Sequence, residues 1–300
     1  MSRRSLALVL SVVVSACTEG PPPAAPAHHV ARSSAPAPTA TAVPAPEAPT
    51  ESRDVTFVTT DGVTIAATLH RAPRVDAPAV IFVHQLGSTR AEWAPLIARL
   101  HAGAAFTTLA IDLRGHGAST RGPSGNLDWQ TFGTAQWAAT RLDVLAALAY
   151  LTGPDSRVAP ASIAAVGASI GCSAVIAAAA EEPRLGTLVT LSPGRAFHGF
   201  DAITPAIHLD DRAIFALASR DETDSVDTAQ AYGRITGVPA YILDGDAHGV
   251  VMFGTAPETL DRIEDFLRER LAWARLAPRD PVAGSVAPPP TSLGSPAPPS

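Results

Sequence analysis

Short apolar runs separated by helical spacing constrain this chain more than any other feature. Ala79–His84, Phe106–Ile111, Ser162–Val166, Leu188–Leu191, Ala213–Ala218 and Ala240–Leu243 are nearly free of charge and too short for helices. Runs of this kind are what strands buried on both faces require. Between them, Glu92–Ala102, Thr134–Leu151, Gly171–Glu182 and Glu258–Trp273 carry apolar residues at helical spacing. In the second of these the spacing places Arg141 and Asp143 on the outward face. Ahead of the first run, Asp54–Thr60 and Val63–His70 are β-rich and flank Asp61-Gly62, a hairpin turn signal. An antiparallel pair followed by β-α repeats predicts a mostly parallel sheet of about eight strands with helices on both faces. Ligand sites in such sheets lie at the carboxyl ends of the strands.

The ends of the chain cannot belong to that domain. Residues 18–50 and 277–300 are rich in Pro, Ala, Ser and Thr and show no apolar periodicity, so they cannot bury enough surface to offset the entropy of ordering them. The folded domain is expected over residues 51–276. Residues 1–17 read as an export signal. Arg3 and Arg4 precede the apolar run Leu6–Val14, which is too short to span a bilayer. Val14-Ser15-Ala16-Cys17 resembles the bacterial lipobox, in which cleavage precedes the cysteine and the cysteine carries the lipid. That resemblance implies a lipid-anchored cell-envelope protein, with Thr18 rather than Asp after Cys17 favouring the outer membrane. Residues 18–50 then form a tether that reaches at most about 110 Å when extended.

Composition closes several routes. The chain contains no lysine, which excludes a Walker A lysine, a Schiff-base lysine and a Ser–Lys dyad. A formal net charge of −6 gives no reason to expect nucleic-acid binding. Two cysteines, Cys17 and Cys172, make no disulfide scaffold. His28, His29, His198 and His208 lack metal-ligand spacing. No cofactor, metal or partner subunit is implied, and the chain is expected to be a monomer.

Four motifs follow strands. Gly167-Ala168-Ser169-Ile170-Gly171 lies between a buried strand and a small-residue helix, the context of a nucleophile elbow. The glycines permit a sharp turn, and the serine is left at a helix N-terminus that favours negative charge. His84-Gln85-Leu86-Gly87 comes directly after a strand ending at Val83, Asp112-Leu113-Arg114-Gly115-His116-Gly117-Ala118-Ser119 after one ending at Ile111, and Gly245-Asp246-Ala247-His248-Gly249 after one ending at Leu243. A neutral His248 on that final loop can take a proton from Ser169 and return it to a leaving group. Cys172 reads as a small buried helix residue.

Together these motifs resemble those of the α/β-hydrolases, over about Asp54 to Trp273, and look closest to the small dienelactone-hydrolase-like branch without a large cap. The Asp112–Ser119 stretch resembles the D-x-R-G-H-G-x-S loop, which is structural there, so His116 carries no catalytic role and His84 is expected to brace its loop. The resemblance implies an oxyanion hole made by the N–H of Ile170 and one from Gln85 or Leu86. Many members read His-Gly where this chain reads His-Gln, which leaves that donor open. It also implies the order serine, acid, histidine. Asp221, Glu222, Asp224 and Asp227 all follow the strand ending at Ala218. Asp221 stands three residues beyond that end and matches the pattern best. Asp224 is the next candidate, and Glu222 and Asp227 read as solvated.

The implied activity is hydrolysis of ester or thioester bonds in small soluble substrates through an acyl-enzyme on Ser169. The alternative is a non-catalytic binding or scaffold lipoprotein that retains the fold. Only about twenty residues separate Ser192 from Ala213, too few for a multi-helix lid. Trp129, Phe132 and Trp137 could form a partial wall instead.

Overall fold

In the computed structural model of the protein, the described residues are 51–103, 106–160 and 162–276. The expected leader, tether and tail at residues 1–17, 18–50 and 277–300 lie outside them. The main strands are β1 (Glu51–Val58), β2 (Thr64–Arg71), β3 (Ala79–Val83), β4 (Thr107–Ile111), β5 (Ile163–Ala168), β6 (Leu185–Leu191), β7 (Ala213–Ser219) and β8 (Tyr241–Leu243). The main helices are α1 (Ala94–Gly103), α2 (Thr140–Thr152), α3 (Ile170–Glu181), α4 (Thr223–Thr236) and α5 (Glu258–Leu276).

The sheet runs β8-β7-β6-β5-β3-β4-β2, with β1 also on β2. It is parallel from β8 to β4 and antiparallel where β2 meets β4 and β1. A two-residue pair, Arg121–Gly122 with Gly125–Asn126, extends the edge beyond β2 and brings the sheet to ten strands.

Every residue of β3, β4 and β5 is buried, as strands covered on both faces must be. Successive side chains still point to opposite faces. Ala79, Ile81 and Val83 pack with Val144 and Leu148 of α2, Val175 of α3 and Tyr232 of α4. Val80 and Phe82 pack on the other face with Leu96 and Leu100 of α1 and Ile263 and Leu267 of α5. Two cores therefore sandwich one sheet.

The expected helix at Thr134–Leu151 is two: a short turn, Thr134–Ala138, breaks at Ala139 before α2 begins. Asp143 does not face outward. It is wholly buried, because Arg114 comes from the Asp112–Ser119 loop to meet it. Arg114 donates through its backbone N–H and Nε to Asp143 at 2.9 and 2.8 Å, and through both Nη atoms to Asp61 at 2.7 and 3.0 Å. Burial pushes the Asp143 carboxyl up to about 6 against the pull of the guanidinium. Removing one partner from such a pair leaves an uncompensated charge, which costs about 3–5 kcal/mol. Arg114→Met is therefore expected to lower stability by that amount in urea unfolding; an unchanged midpoint would refute the pairing.

Between β6 and β7 there is only a two-residue hairpin pair, Ala196–Phe197 with Phe200–Asp201, and a single turn of helix, Ile203–Ala206. Among the described residues no large cap covers the carboxyl edge of the sheet.

Candidate active site

Ser169 lies between β5 and α3 with φ 52° and ψ −118°, a conformation that non-glycine residues rarely adopt. Such backbone costs on the order of 1–3 kcal/mol and persists only where its surroundings impose it. Here they do. A Cβ on Gly167 would stand 2.5 Å from Gly171 O, and one on Gly171 would stand 2.3 Å from Val83 O. Only glycines allow the turn to close and α3 to seat against β3. The Ser169 N–H is held by Leu191 O at 2.9 Å. At the start of α3 the Ile170 N–H is among the donors that a helix leaves without an intrahelical acceptor, whereas Cys172 N–H already turns back to Ser169 O at 2.9 Å. Cys172 is buried, its thiol is directed to Gly167 O and Leu191 O, and burial raises its pKa, so it is a packing residue.

The loop after β3 is held from several sides. His84 is fully buried. Its Nε2 accepts from Leu113 N–H at 3.0 Å, so the ring proton sits on Nδ1 and is donated to Gln85 O at 2.7 Å. Burial pushes this histidine down to about 4, which keeps it neutral. Both ring nitrogens are engaged by backbone, so the side chain braces the loop. In a trans peptide the N–H points opposite to the C=O, so pinning Gln85 O turns Leu86 N–H away from His84. The Gln85 N–H is already engaged by Glu92 Oε1 at 2.9 Å. Of the two donors left open by the sequence, the structure commits Gln85 elsewhere.

His116 is buried too, with Nδ1 at 3.1 Å from Arg114 O and its ring stacked on Trp129 at 5.2 Å. Trp129 and Phe132 are half-buried, and Trp129 lies against Gly87 of the loop after β3. Trp137 is core, with the exposed His198 ring stacked on it at 4.7 Å.

The carboxylate that meets His248 is not the one the sequence predicts. Glu222, not Asp221, meets His248: its Oε1 faces Nδ1 of the imidazole. Its Oε2 accepts from Ser192 Oγ at 2.7 Å and from Ser219 N–H at 3.4 Å. The cause is one residue of strand. β7 ends at Ser219 rather than Ala218, so the residue three beyond the strand end is Glu222. Asp221 is exposed and its backbone N–H is bonded to Gly245 O at 3.0 Å. Asp224 accepts from Arg195 N–H at 3.1 Å, and Asp227 is exposed.

Two serines outside the four motifs complete the arrangement. Ser192 is buried at the end of β6 with φ 51°, and besides donating to Glu222 it accepts from Gly249 N–H at 2.9 Å. Ser219 Oγ donates to Ala247 O at 2.6 Å. The histidine loop is thus held on both sides of His248. The signal for them in the sequence is weak: each is a small polar residue closing an apolar run, which is also what any strand end looks like.

Ser169, His248 and Glu222 all lie at the carboxyl edge, on β5, β8 and β7 or the loops that follow them. Among the described residues the side-chain hydrogen bond of His248 is at Nδ1, and Ser169 Oγ is not hydrogen-bonded to its Nε2. Catalytic bonds of this type tighten when substrate arrives. The half-exposed ring, 43% accessible against 14% for Glu222, is open to that approach.

A strained serine on a strand-to-helix turn and a carboxylate-held histidine on one sheet edge place the chain among hydrolases of this architecture. It belongs to the alpha/beta hydrolase family, whose model matches residues 80–298. Among solved structures, an esterase of Pyrococcus furiosus is similar in fold, with a TM-score of 0.58 at 19% identity over 73% of this chain and 92% of that one. A thermostable carboxyl esterase of Bacillus coagulans gives 0.55 at 13% identity over 75% and 98%. The peroxisomal alpha-beta-hydrolase Lpx1 of Saccharomyces cerevisiae gives 0.56 at 15% over 74% and 89%. No curated protein matches the chain.

Proposed function

We propose that the protein is a serine hydrolase that cleaves ester or thioester bonds of small soluble substrates, with Ser169 as nucleophile, His248 as general base and acid, and Glu222 as the orienting acid. The observation that carries this is the Glu222–His248 contact, in which both carboxylate oxygens are occupied; a carboxylate only accepts, so the Nδ1 it faces carries the proton and Nε2 is the basic nitrogen. Ser169 Oγ attacks the carbonyl carbon while Nε2 of His248 takes its proton. The N–H groups of Leu86 and Ile170 hold the oxyanion. The imidazolium then protonates the leaving alcohol or thiol, and water repeats the sequence on the acyl-enzyme.

The absence of a large cap supports short substrates. Leu86 and Val251, on the two loops beside the site, are exposed apolar side chains suited to a modest acyl chain. The test is turnover on p-nitrophenyl esters of graded length. We expect a maximum at two to about six carbons, in proportion to the limited apolar area available, and no rate increase on emulsified triglyceride; such an increase would overturn the open-site reading.

The Arg3–Cys17 segment supports export and lipid anchoring at Cys17 in the cell envelope, at the outer membrane. Among the described residues no helix is long and apolar enough to cross a membrane. Cys17→Ser is expected to abolish lipid labelling and release the protein from the membrane fraction. A wild type that carries no lipid would contradict the anchor.

A further inference from the structure

We propose that Glu92 is a positioning residue for the oxyanion loop: its carboxylate takes up the Gln85 N–H and so leaves Leu86 N–H as the loop's donor to the reacting carbonyl. The inference rests on the serine-hydrolase reading and deepens it.

Glu92 lies outside the motifs on the 3-10 turn Arg90–Trp93, just before α1. That turn is anchored. Trp93 is fully buried, with its ring 5.1 Å from Phe82 of β3 and 6.1 Å from Phe253, just beyond the histidine loop. The Glu92 backbone N–H closes on Thr89 O at 3.2 Å. From this fixed base Oε1 reaches the Gln85 N–H at 2.9 Å.

The peptide groups on both sides of the Gln85 Cα are therefore held. Glu92 takes the N–H, while the C=O accepts from His84 Nδ1 at 2.7 Å and from Ser88 N–H at 3.2 Å. The Gln85 side chain adds a third restraint, accepting from Val250 N–H at 3.3 Å across on the histidine loop. With two consecutive peptide planes fixed, the orientation of Leu86 N–H is fixed with them. Without Glu92 the Gln85 N–H has no acceptor, and rotating that peptide to find one moves the donor that must meet the oxyanion. Burial holds the Glu92 carboxyl above its ordinary range, although bonds from the Ser88 side chain and the Gln85 N–H pull it down. A donor acts on the transition state only when it is aimed before the reaction begins.

The test uses the full chain and three variants: Glu92→Gln, which keeps an acceptor oxygen, Glu92→Ala, and Glu92→Leu, which keeps bulk without an acceptor. kcat and KM on p-nitrophenyl acetate, affinity for phenylboronic acid, and thermal midpoint are measured for each. The Gln variant should stay within about threefold of wild-type kcat. The Ala and Leu variants should lose about 10-fold to 100-fold in kcat, less than the loss of a whole donor. Their KM should stay within about twofold, and boronate affinity should fall in parallel with kcat whatever the change in midpoint. Wild-type kcat in the Ala or Leu variant, or equal losses in Gln, Ala and Leu, would overturn the proposal. Absence of Ser169-dependent turnover in the unsubstituted chain would overturn the hydrolase reading itself, and shows before any Glu92 variant is compared.

Discussion

Ser169→Ala is expected to lower turnover of an activated ester by about 10⁴-fold or more, the loss typical when a triad nucleophile is removed. What survives is the background from the oxyanion donors and binding alone. The same change should hardly touch stability. Ser169 precedes α3 without making a side-chain cap bond, so no capping interaction is lost. Alanine meets the same backbone penalty at φ 52° as serine does. The thermal midpoint should move by no more than about 2 °C, the scale of a change within ~0.5 kcal/mol. Turnover near wild type would show that the nucleophile lies elsewhere.

Glu222→Gln is expected to cut kcat by about 10³–10⁴-fold, as amide replacement of a triad acid does by stabilising the wrong tautomer. The geometry explains why an amide fails here. Both oxygens of Glu222 accept: one faces His248 Nδ1, and the other takes Ser192 Oγ–H and Ser219 N–H. Glutamine has one acceptor oxygen. Facing it to the serines presents an N–H to Nδ1 and forces the ring proton onto Nε2, which must be free to accept from Ser169. Facing it to His248 leaves an N–H against the Ser219 N–H. Asp221→Asn should leave kcat within about twofold, because its exposed side chain is not part of this network and its backbone bond to Gly245 is unaffected. Steady-state kinetics on the pair decides the matter. If Asp221→Asn is crippling and Glu222→Gln is not, Glu222 is not the orienting acid.

The fold was legible because its sheet is parallel and doubly covered. β3, β4 and β5 must be apolar throughout, and such runs stand out in a chain whose helices keep a polar face. The tight turn at Ser169 was legible because Gly167 and Gly171 cannot be replaced where backbone approaches within van der Waals distance. Glu222 was not. Its identification depended on whether β7 ends at Ala218 or Ser219, and strand ends are set by ladder bonds to β8, here Ser219 opposite Leu243, that lie outside the local sequence. Asp143 was misread for a related reason: helical spacing puts it on a face, but its partner Arg114 arrives from a loop 29 residues away. The contacts of Ser192 arise only when the ends of β6, β7 and β8 meet at one edge, whereas Glu92 reaches Gln85 within one connection by a fold of the chain that no motif marks.

The most direct test of the central claim is labelling of the purified chain with a fluorophosphonate probe, followed by mapping of the modified peptide. Only a serine activated by a base reacts at a useful rate. One adduct per chain on Ser169, lost in Ser169→Ala and strongly slowed in Glu222→Gln, is the expected result. An unlabelled wild-type chain, or an adduct on a different serine, would contradict the account.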